Sequence, residues 1–160
     1  MIELTYTRAN ELFEYTPETG VVRRRIDKRS GRPGGPAGCM DKGYTRTLVD
    51  GRRYLNHRLA WLLYYGVWPT MDIDHINGIT HDNRICNLRD VTTAMNIQNQ
   101  KKARSGSLLG LLGVSVHREK FQAHIRTHGA LKHIGLFATP EEAHEAYLTA
   151  KRELHDGCTI

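Results

Sequence analysis

Two patterns of hydrophobic and polar positions run along this chain, one of period two and one of helical period. Tyr44 to Val49 alternates, Asp50-Gly51 follows, and Arg52 to Leu55 resumes, which predicts a β-hairpin closed by a two-residue turn. Asn56 can then cap a helix through HRLAWLLYY, which Gly66 and Pro69 terminate. Upstream, residues 7–14 read as a short helix and Pro17 to Gly20 as a turn into a strand at 21–26. Residues 28–38 are too rich in Gly and Pro for a regular element. Downstream, Ile73 to Ile76 is a strand, 84–89 its partner, and 93–101 a helix.

The last third is a self-contained pattern. Residues 113–117, 121–126 and 131–137 read as strands separated by turns at 118–120 and 127–129. Thr139-Pro-Glu-Glu142 is a capping signature, with Thr139 at the cap, Pro140 at the first helical position and Glu142 reaching back. The helix 140–155 puts Ala143, Ala146, Tyr147, Ala150 and Leu154 on one face. Alternation sends Val114, Val116, Phe121, Ala123 and Ile125 inward, and Ser115, His117, Gln122, His124 and Arg126 outward. The whole reads as α+β: a β-rich basic N-terminal part to residue 100, a linker at 101–112, and a three-stranded antiparallel sheet packed on one helix at 113–160. Leu108, Leu109, Leu111 and Leu112 predict that the linker docks somewhere.

Composition sharpens this. At 160 residues and 39% hydrophobic, the chain can hold one ordinary domain or two small ones. Residues 23–58 carry eleven Lys or Arg against three Asp, a net of +8, whereas residues 141–156 net −3. Cation gathered on some segments and withheld from others suits a nucleic-acid-facing surface. Arg23, Arg24, Arg25, Arg52 and Arg53 are candidates there, and Lys101, Lys102 and Arg104 in the linker are candidates to follow a phosphate backbone. Cys39, Cys86 and Cys158 are odd in number and far apart, so neither a disulfide framework nor a zinc ribbon is expected. With no apolar run of membrane length and no signal-peptide pattern, a soluble cytoplasmic protein is expected.

Residues 71–100 hold the candidate chemistry. Phosphodiester hydrolysis needs an activated water, a neutralised phosphate and a stabilised leaving oxygen. Mg²⁺ takes hard oxygen ligands and needs few from protein, which Asp74 and the amide oxygen of Asn96 would satisfy. His75 is suited to take a proton from water near neutral pH, and Asn87 to orient the imidazole or brace the loop. Asn99 and His81 compete with Asn96 as second ligand. Strand alternation opposes Asp74 and His75 facing one site unless the strand ends there. Asp74, Asn77 and Asn83 also suit turns, and His75 a hydrogen-bonded core position. His57, just after the helix cap, suits a structural role or a phosphate contact.

The ordered residues His57-Arg-Leu-Ala-Trp61, Asp74-His-Ile-Asn-Gly78, Asp82-Asn-Arg84 and Asn87-Leu-Arg89 resemble the HNH endonucleases common in phages, especially the homing type. The resemblance extends over nearly all of residues 10–100. It implies a ββα-metal site with His75 as general base, Asp74 as metal ligand, Asn87 as the structural middle Asn and Asn96 at the third motif position. The expected cofactor is Mg²⁺, with Mn²⁺ able to substitute. Residues 113–156 resemble the plant ethylene-response-factor (APETALA) type of DNA-binding domain, through Gly113-Val114, Phe121-x-Ala-x-Ile-Arg126, Ile134-Gly-x-Phe137 and Thr139-Pro-Glu-Glu142. That resemblance implies a sheet that enters the major groove. Ser115, His117, Arg118, Lys120, Gln122, His124, Arg126, Lys132 and His133 are its candidate DNA contacts, in a set unlike that of the plant members.

The expected activity is site-specific cleavage of double-stranded DNA by a monomer. A DNA-binding regulator with a vestigial site, or an HNH nuclease of restriction or packaging type, are the alternatives. One active site per chain implies nicking, with a dimer or two successive events needed to cut both strands.

Overall fold

The computed structural model describes residues 3–25, 34–103, 106–127, 129–155 and 158. It is a mixed α/β structure of several small sheets and four helices, and the chain divides into two compact units between Thr92 and Thr93.

In the first unit, α1 (Tyr6–Leu12) opens where the Thr5 hydroxyl accepts a hydrogen bond from the Arg8 N–H at 3.3 Å. It passes directly into β1 (Phe13–Thr16), which pairs antiparallel with β2 (Val21–Arg24). The helix therefore ends two residues before the sequence pattern suggested. Phe13 is fully buried in an extended conformation, and Arg25 Nε donates to the carbonyls of Asn10 (2.8 Å) and Phe13 (3.0 Å). Most of the expected Gly/Pro loop lies outside the described residues. Residues 34–37 return along β2, with Ala37 N–H donating to the Val22 carbonyl at 2.8 Å.

A second sheet has the order β3 (Cys39–Asp41), β4 (Tyr44–Val49), β5 (Arg52–Leu55). Asp50 (φ 45°) and Gly51 (φ 82°) make the expected two-residue turn, and Lys42 (φ 48°) and Gly43 (φ 83°) repeat it between β3 and β4. Strand β3 was not foreseen, being three residues without alternation. Helix α2 (Asn56–Tyr65) follows and stops at Gly66 (φ 78°). Asn56 is not its cap. It lies inside the helix, buried, accepting from Thr47 Oγ1 (2.7 Å) and donating to the Ala37 carbonyl (2.8 Å). A buried amide satisfied on both sides ties helix to sheet more firmly than an exposed cap would. Leu59, Ala60 and Leu62 of α2 pack with Leu4, Ala9, Phe13, Val22 and Val49, and Ile73 and Leu88 complete that core.

The last pair, β6 (Asp72–His75) and β7 (Leu88–Val91), is antiparallel. The partner strand begins four residues later than expected, because Ile85–Asn87 forms a 3-10 turn instead. The β1–β2 turn braces this region: Ile85 N–H donates to the Pro17 carbonyl (3.1 Å) and Tyr15 Oη to the Asn83 carbonyl (2.8 Å). Gly20 (φ 73°) lies so close that a Cβ there would meet Arg84 N at 2.4 Å.

The second unit holds α3 (Thr93–Gln98), shorter than the 93–101 expected, then β8 (Val114–His117), β9 (Lys120–Thr127), β10 (Ala130–Phe137) and α4 (Pro140–Leu154). The sheet order is β10-β9-β8. The Thr139–Glu142 capping box forms as expected. Leu109 and Leu111 pack against the Val114, Ala123 and Ala143 core, while Leu108 is exposed. Val116, expected inward, is half-exposed at the open end of β8. Helix α4 buries Ala143, Tyr147 and, unforeseen, Lys151, whose Nζ donates to the Gln100 carbonyl at 2.5 Å. Burial lowers the pKa of that ammonium.

Gly20→Ala is expected to lose about 1–2 kcal/mol from the left-handed backbone alone, and more from the clash with the Asn83–Arg84 backbone. Gly51→Ala, where a Cβ meets nothing within 4 Å, should lose only the backbone part. Urea unfolding of both variants measures the difference, and equal losses would show that the hairpin does not press on that loop.

Candidate active site

The site begins with the register of β6 and β7. Asp74 stands opposite Arg89, and His75 opposite Leu88, so the two side chains leave the strand on opposite faces. Arg89 Nε and Nη2 each lie 2.8 Å from Asp74 Oδ2, and the carboxylate is buried. The strand ends at His75, where Gly78 N–H donates to the His75 carbonyl at 2.8 Å and Gly78 takes φ 73°.

Side-chain amides hold the connection between the strands. Asn87 Oδ1 accepts from the Asn77 N–H (2.9 Å) and Asn87 Nδ2 donates to the Asp82 carbonyl (2.7 Å). Asn77 Nδ2 donates to Asp82 Oδ2 (2.7 Å), while Asn77 Oδ1 accepts from the Ile79 N–H (2.8 Å). The Arg84 guanidinium, 2.6 Å from Asp82, holds that carboxyl at about 2. Each bond ties a loop residue to one that is near in sequence, the usual means by which Asn and Asp fix turns.

His75 Nε2 lies 3.1 Å from Asn83 Oδ1. With that oxygen accepting, the neutral ring carries its proton on Nε2 and Nδ1 is its basic nitrogen. The His57 ring stands edge-on to His75 with centroids 5.1 Å apart, and Tyr44 lies 5.5 Å from His57 and 6.3 Å from His75. Burial lowers the His75 pKa, against an opposing hydrogen bond from Asn83 and the nearby Asp74 charge. Burial, then the neighbouring His75, drives His57 to about 3. Burial thus disfavours the charged form of both adjoining imidazoles.

Asn87, one of the residues read from sequence, braces the loop, and Asn83 is the one that holds the imidazole. His57 is buried, which fits the structural role rather than the phosphate contact. His81 is exposed in the loop. Asn96 is half-buried on α3 and Asn99 is buried just past it, both in the second unit.

The N-terminal arginines divide. Arg23 Nη1 donates to the Gly34 carbonyl (2.8 Å), Arg24 Nη2 to Leu48 (3.0 Å) with its guanidinium over Phe13, and Arg25 caps α1 as described. Arg52 lies over the Tyr54 ring, and Arg53 is exposed. Lys101 is partly buried, Lys102 is exposed, and Arg104 lies outside the described residues. On the second sheet the register aligns Ser115 with Gln122, His117 with Lys120, and His124 with His133, so one face carries this row together with Arg126. Gln122 Nε2 lies 2.9 Å from His133 Nδ1. Arg118 sits in the β8–β9 turn at φ 54°. Lys132 aligns with Ile125, which places it on the helix side and not in the outer row.

Sequence reasoning missed the Asp74–Arg89 pair, the Asn83 contact, and the Tyr44 and His57 wall. The Asp82-Asn-Arg84 and Asn87-Leu-Arg89 triplets already contained Asn83 and Arg89, but their partners follow only from the register.

A buried histidine held by an amide, next in the chain to a buried carboxylate, is thus carried on a short β-ribbon. Residues 54–98 match the family model of the HNH endonuclease, which supports nuclease activity on DNA. No curated protein and no solved structure matches the chain. HNH nucleases generally use a divalent metal. Among the described residues no group of three or more His, Cys, Asp or Glu could hold a metal ion. The donors present are the Asp74 carboxylate and amide oxygens, a sparse, hard set that fits Mg²⁺, which keeps much of its shell as water and phosphate, better than a softer metal.

The His57 shift gives a pH test. Its imidazole binds a proton near 6.5 in the unfolded chain and near 3 when folded, so the unfolded state binds more protons between those values. Stability is therefore full above about pH 6.5 and falls as pH drops, by at most about 1.4 kcal/mol per pH unit from this group. His57→Gln should flatten the loss between about pH 6.5 and 4 in urea unfolding. Parallel declines of variant and parent would show that His57 does not titrate as described.

Proposed function

We propose that this chain is a metal-dependent DNA endonuclease of the HNH homing type, cutting double-stranded DNA at a recognised site. The observation that carries this reading is the buried His75, bonded to Asn83 and next in the chain to Asp74, within the segment that matches the HNH endonuclease model. His75 Nδ1 takes the proton of the attacking water. Asn83 keeps the ring in the tautomer that leaves Nδ1 basic, and His57 with Tyr44 walls the ring from solvent. Asn87 locks the loop that carries Asn83. Asp74 would hold the ion in a ββα-metal arrangement. When bound, Mg²⁺ or Mn²⁺ neutralises phosphate charge and helps the leaving oxygen depart. Arg89 orients the Asp74 carboxylate.

The 113–160 segment, as an ethylene-response-factor type of domain, supplies recognition. Its outer row of Ser115, His117, Gln122, His124, Arg126 and His133 offers donors and acceptors to base edges in the major groove. Lys101, Lys102 and Arg104 add sequence-blind phosphate contacts. The Asp74–Arg89 pair favours one competing reading, a DNA-binding regulator whose carboxylate is permanently occupied.

Plasmid nicking separates the two. Wild type should convert supercoiled DNA in Mg²⁺ or Mn²⁺ and not in EDTA. His75→Ala should lose about 10²–10⁴-fold in rate, and Asn83→Ala about tenfold or more through misplacement of the ring. Duplex binding with no metal-dependent cleavage by any protein would favour the regulator. Replacing Gln122 and His124 together with Ala should weaken binding to the cognate site more than to unrelated duplex, as competition gel shifts would show. Equal loss on both would remove the base-reading role.

A further inference from the structure

We propose that the outer face of the β3–β4–β5 sheet bears a phosphodiester-binding cleft, walled by Arg24, Arg46 and Arg53, which holds the DNA backbone to one side of His75. This rests on the DNA-cleaving reading of that site. Thr47 and Val49 of β4 point into the core, so Tyr44, Arg46 and Leu48 point outward. Register puts Arg53 beside Leu48 and Cys39 beside Arg46 on this face. Arg24 reaches it from β2 through its bond to the Leu48 carbonyl. Together with Asp41 these residues line a cleft of about 320 Å³.

Among the described residues three guanidinium groups there face one carboxylate. Arg46 Nη1 pairs with Asp41 at 3.1 Å, but Arg46 Nε is buried with no hydrogen-bond partner among the described residues. Arg53 makes no hydrogen bond or ion pair among the described residues. The cleft thus holds surplus positive charge and a desolvated donor without an acceptor, and phosphate oxygens match the planar guanidinium fork. Leu48, 56% exposed among these cations, offers an apolar floor rather than a competing acceptor.

Position identifies the anion as substrate backbone. Tyr44, on the same face of the same strand, is the residue whose ring lies 6.3 Å from His75. Arg46 stands about 7 Å and the Leu48–Arg53 pair about 13 Å further along the strand. Phosphates of one DNA strand advance about 3.4 Å each along the helix axis. The cleft would therefore take phosphates roughly two to four nucleotides from the one at His75. Arg52, which points to the opposite face over Tyr54, is outside it.

The test uses the full chain carrying His75→Ala, so that DNA is bound and not cut, with fluorescence anisotropy of a labelled duplex across a range of salt. Arg53→Gln and Arg46→Gln should each lower the slope of log affinity against log salt by about 0.9, and the pair by about twice that. Arg8→Gln, whose guanidinium is already paired with Glu11 and Asp50, should leave it unchanged. If Arg46→Gln unfolds because Asp41 loses its partner, Arg53→Gln decides alone. Unchanged slopes for Arg53→Gln, or no duplex binding by the parent, would overturn the cleft. So would a cleft that binds inorganic phosphate, raising the unfolding midpoint at matched ionic strength, while the DNA slopes stay fixed. Wild-type cleavage in Mg²⁺ is read separately. Reduced slopes without cleavage would sink the nuclease reading and keep the cleft, and cleavage with unchanged slopes would do the reverse.

Discussion

Two β-strands alone are marginal in water, and the candidate site is carried by such a ribbon. The register of β6 against β7 is the constraint on which the rest depends. A slip of one residue would exchange the faces, sending Asp74 toward the core and His75 toward Arg89. Two features hold the register. Ile73 and Leu88 enter the same core as α2, and the Asp74–Arg89 pair joins opposite charges directly across the ribbon. Leaving either charge unpaired in so buried a place would be strongly unfavourable. The loop then closes through Asn87, whose one amide satisfies the Asn77 N–H near the start of the connection and the Asp82 carbonyl in its middle.

Placement of His75 follows from a longer chain of support. His75 meets Asn83, the Asn83 carbonyl accepts from Tyr15 Oη, and Tyr15 belongs to the hairpin whose Gly20 lies against Asn83 and Arg84. The N-terminal region is thus part of the machinery that positions the imidazole as well as a source of charge. The Tyr44 and His57 rings stand near His75, and burial disfavours the charged form of both imidazoles.

Legibility in the sequence tracked how local each signal was. The β4–β5 hairpin, the Gly66 stop of α2 and the Thr139 capping box were readable because a few neighbouring residues decide each. The end of α1, strand β3, the role of Asn56 and the start of β7 were not, because distant partners settle them. Asn56 looks like a cap, and the Thr47 hydroxyl and Ala37 carbonyl make it a buried bridge. At the site, Asp74, His75 and Asn87 stood out by their order along the chain. Asn83 and Arg89 needed the loop and the register to show what they touch, and Tyr44 and His57 come from other elements altogether. Burial of Lys151 had no signal, since its helix position read simply as polar.

Charge shows the same distinction most sharply. Counting cations marked residues 23–58 as one basic surface, yet the arginines there have different work. Arg25 satisfies carbonyls at the end of α1, and Arg23 secures the returning chain at Gly34. Arg46 and Arg53, on one face of one sheet, keep donors for an external acceptor. A guanidinium has five donors, so a structural bond such as that of Arg24 to Leu48 does not exhaust it. Phosphate contacts of this kind fix position without reading sequence, whereas discrimination between bases needs donors and acceptors held in register. The aligned row on β8 to β10, where Gln122 already bonds His133, has that second character. On the proposed reading the two kinds of recognition are therefore divided between the units: cation on the first sets where the backbone lies, and polar side chains on the second set which sequence is held.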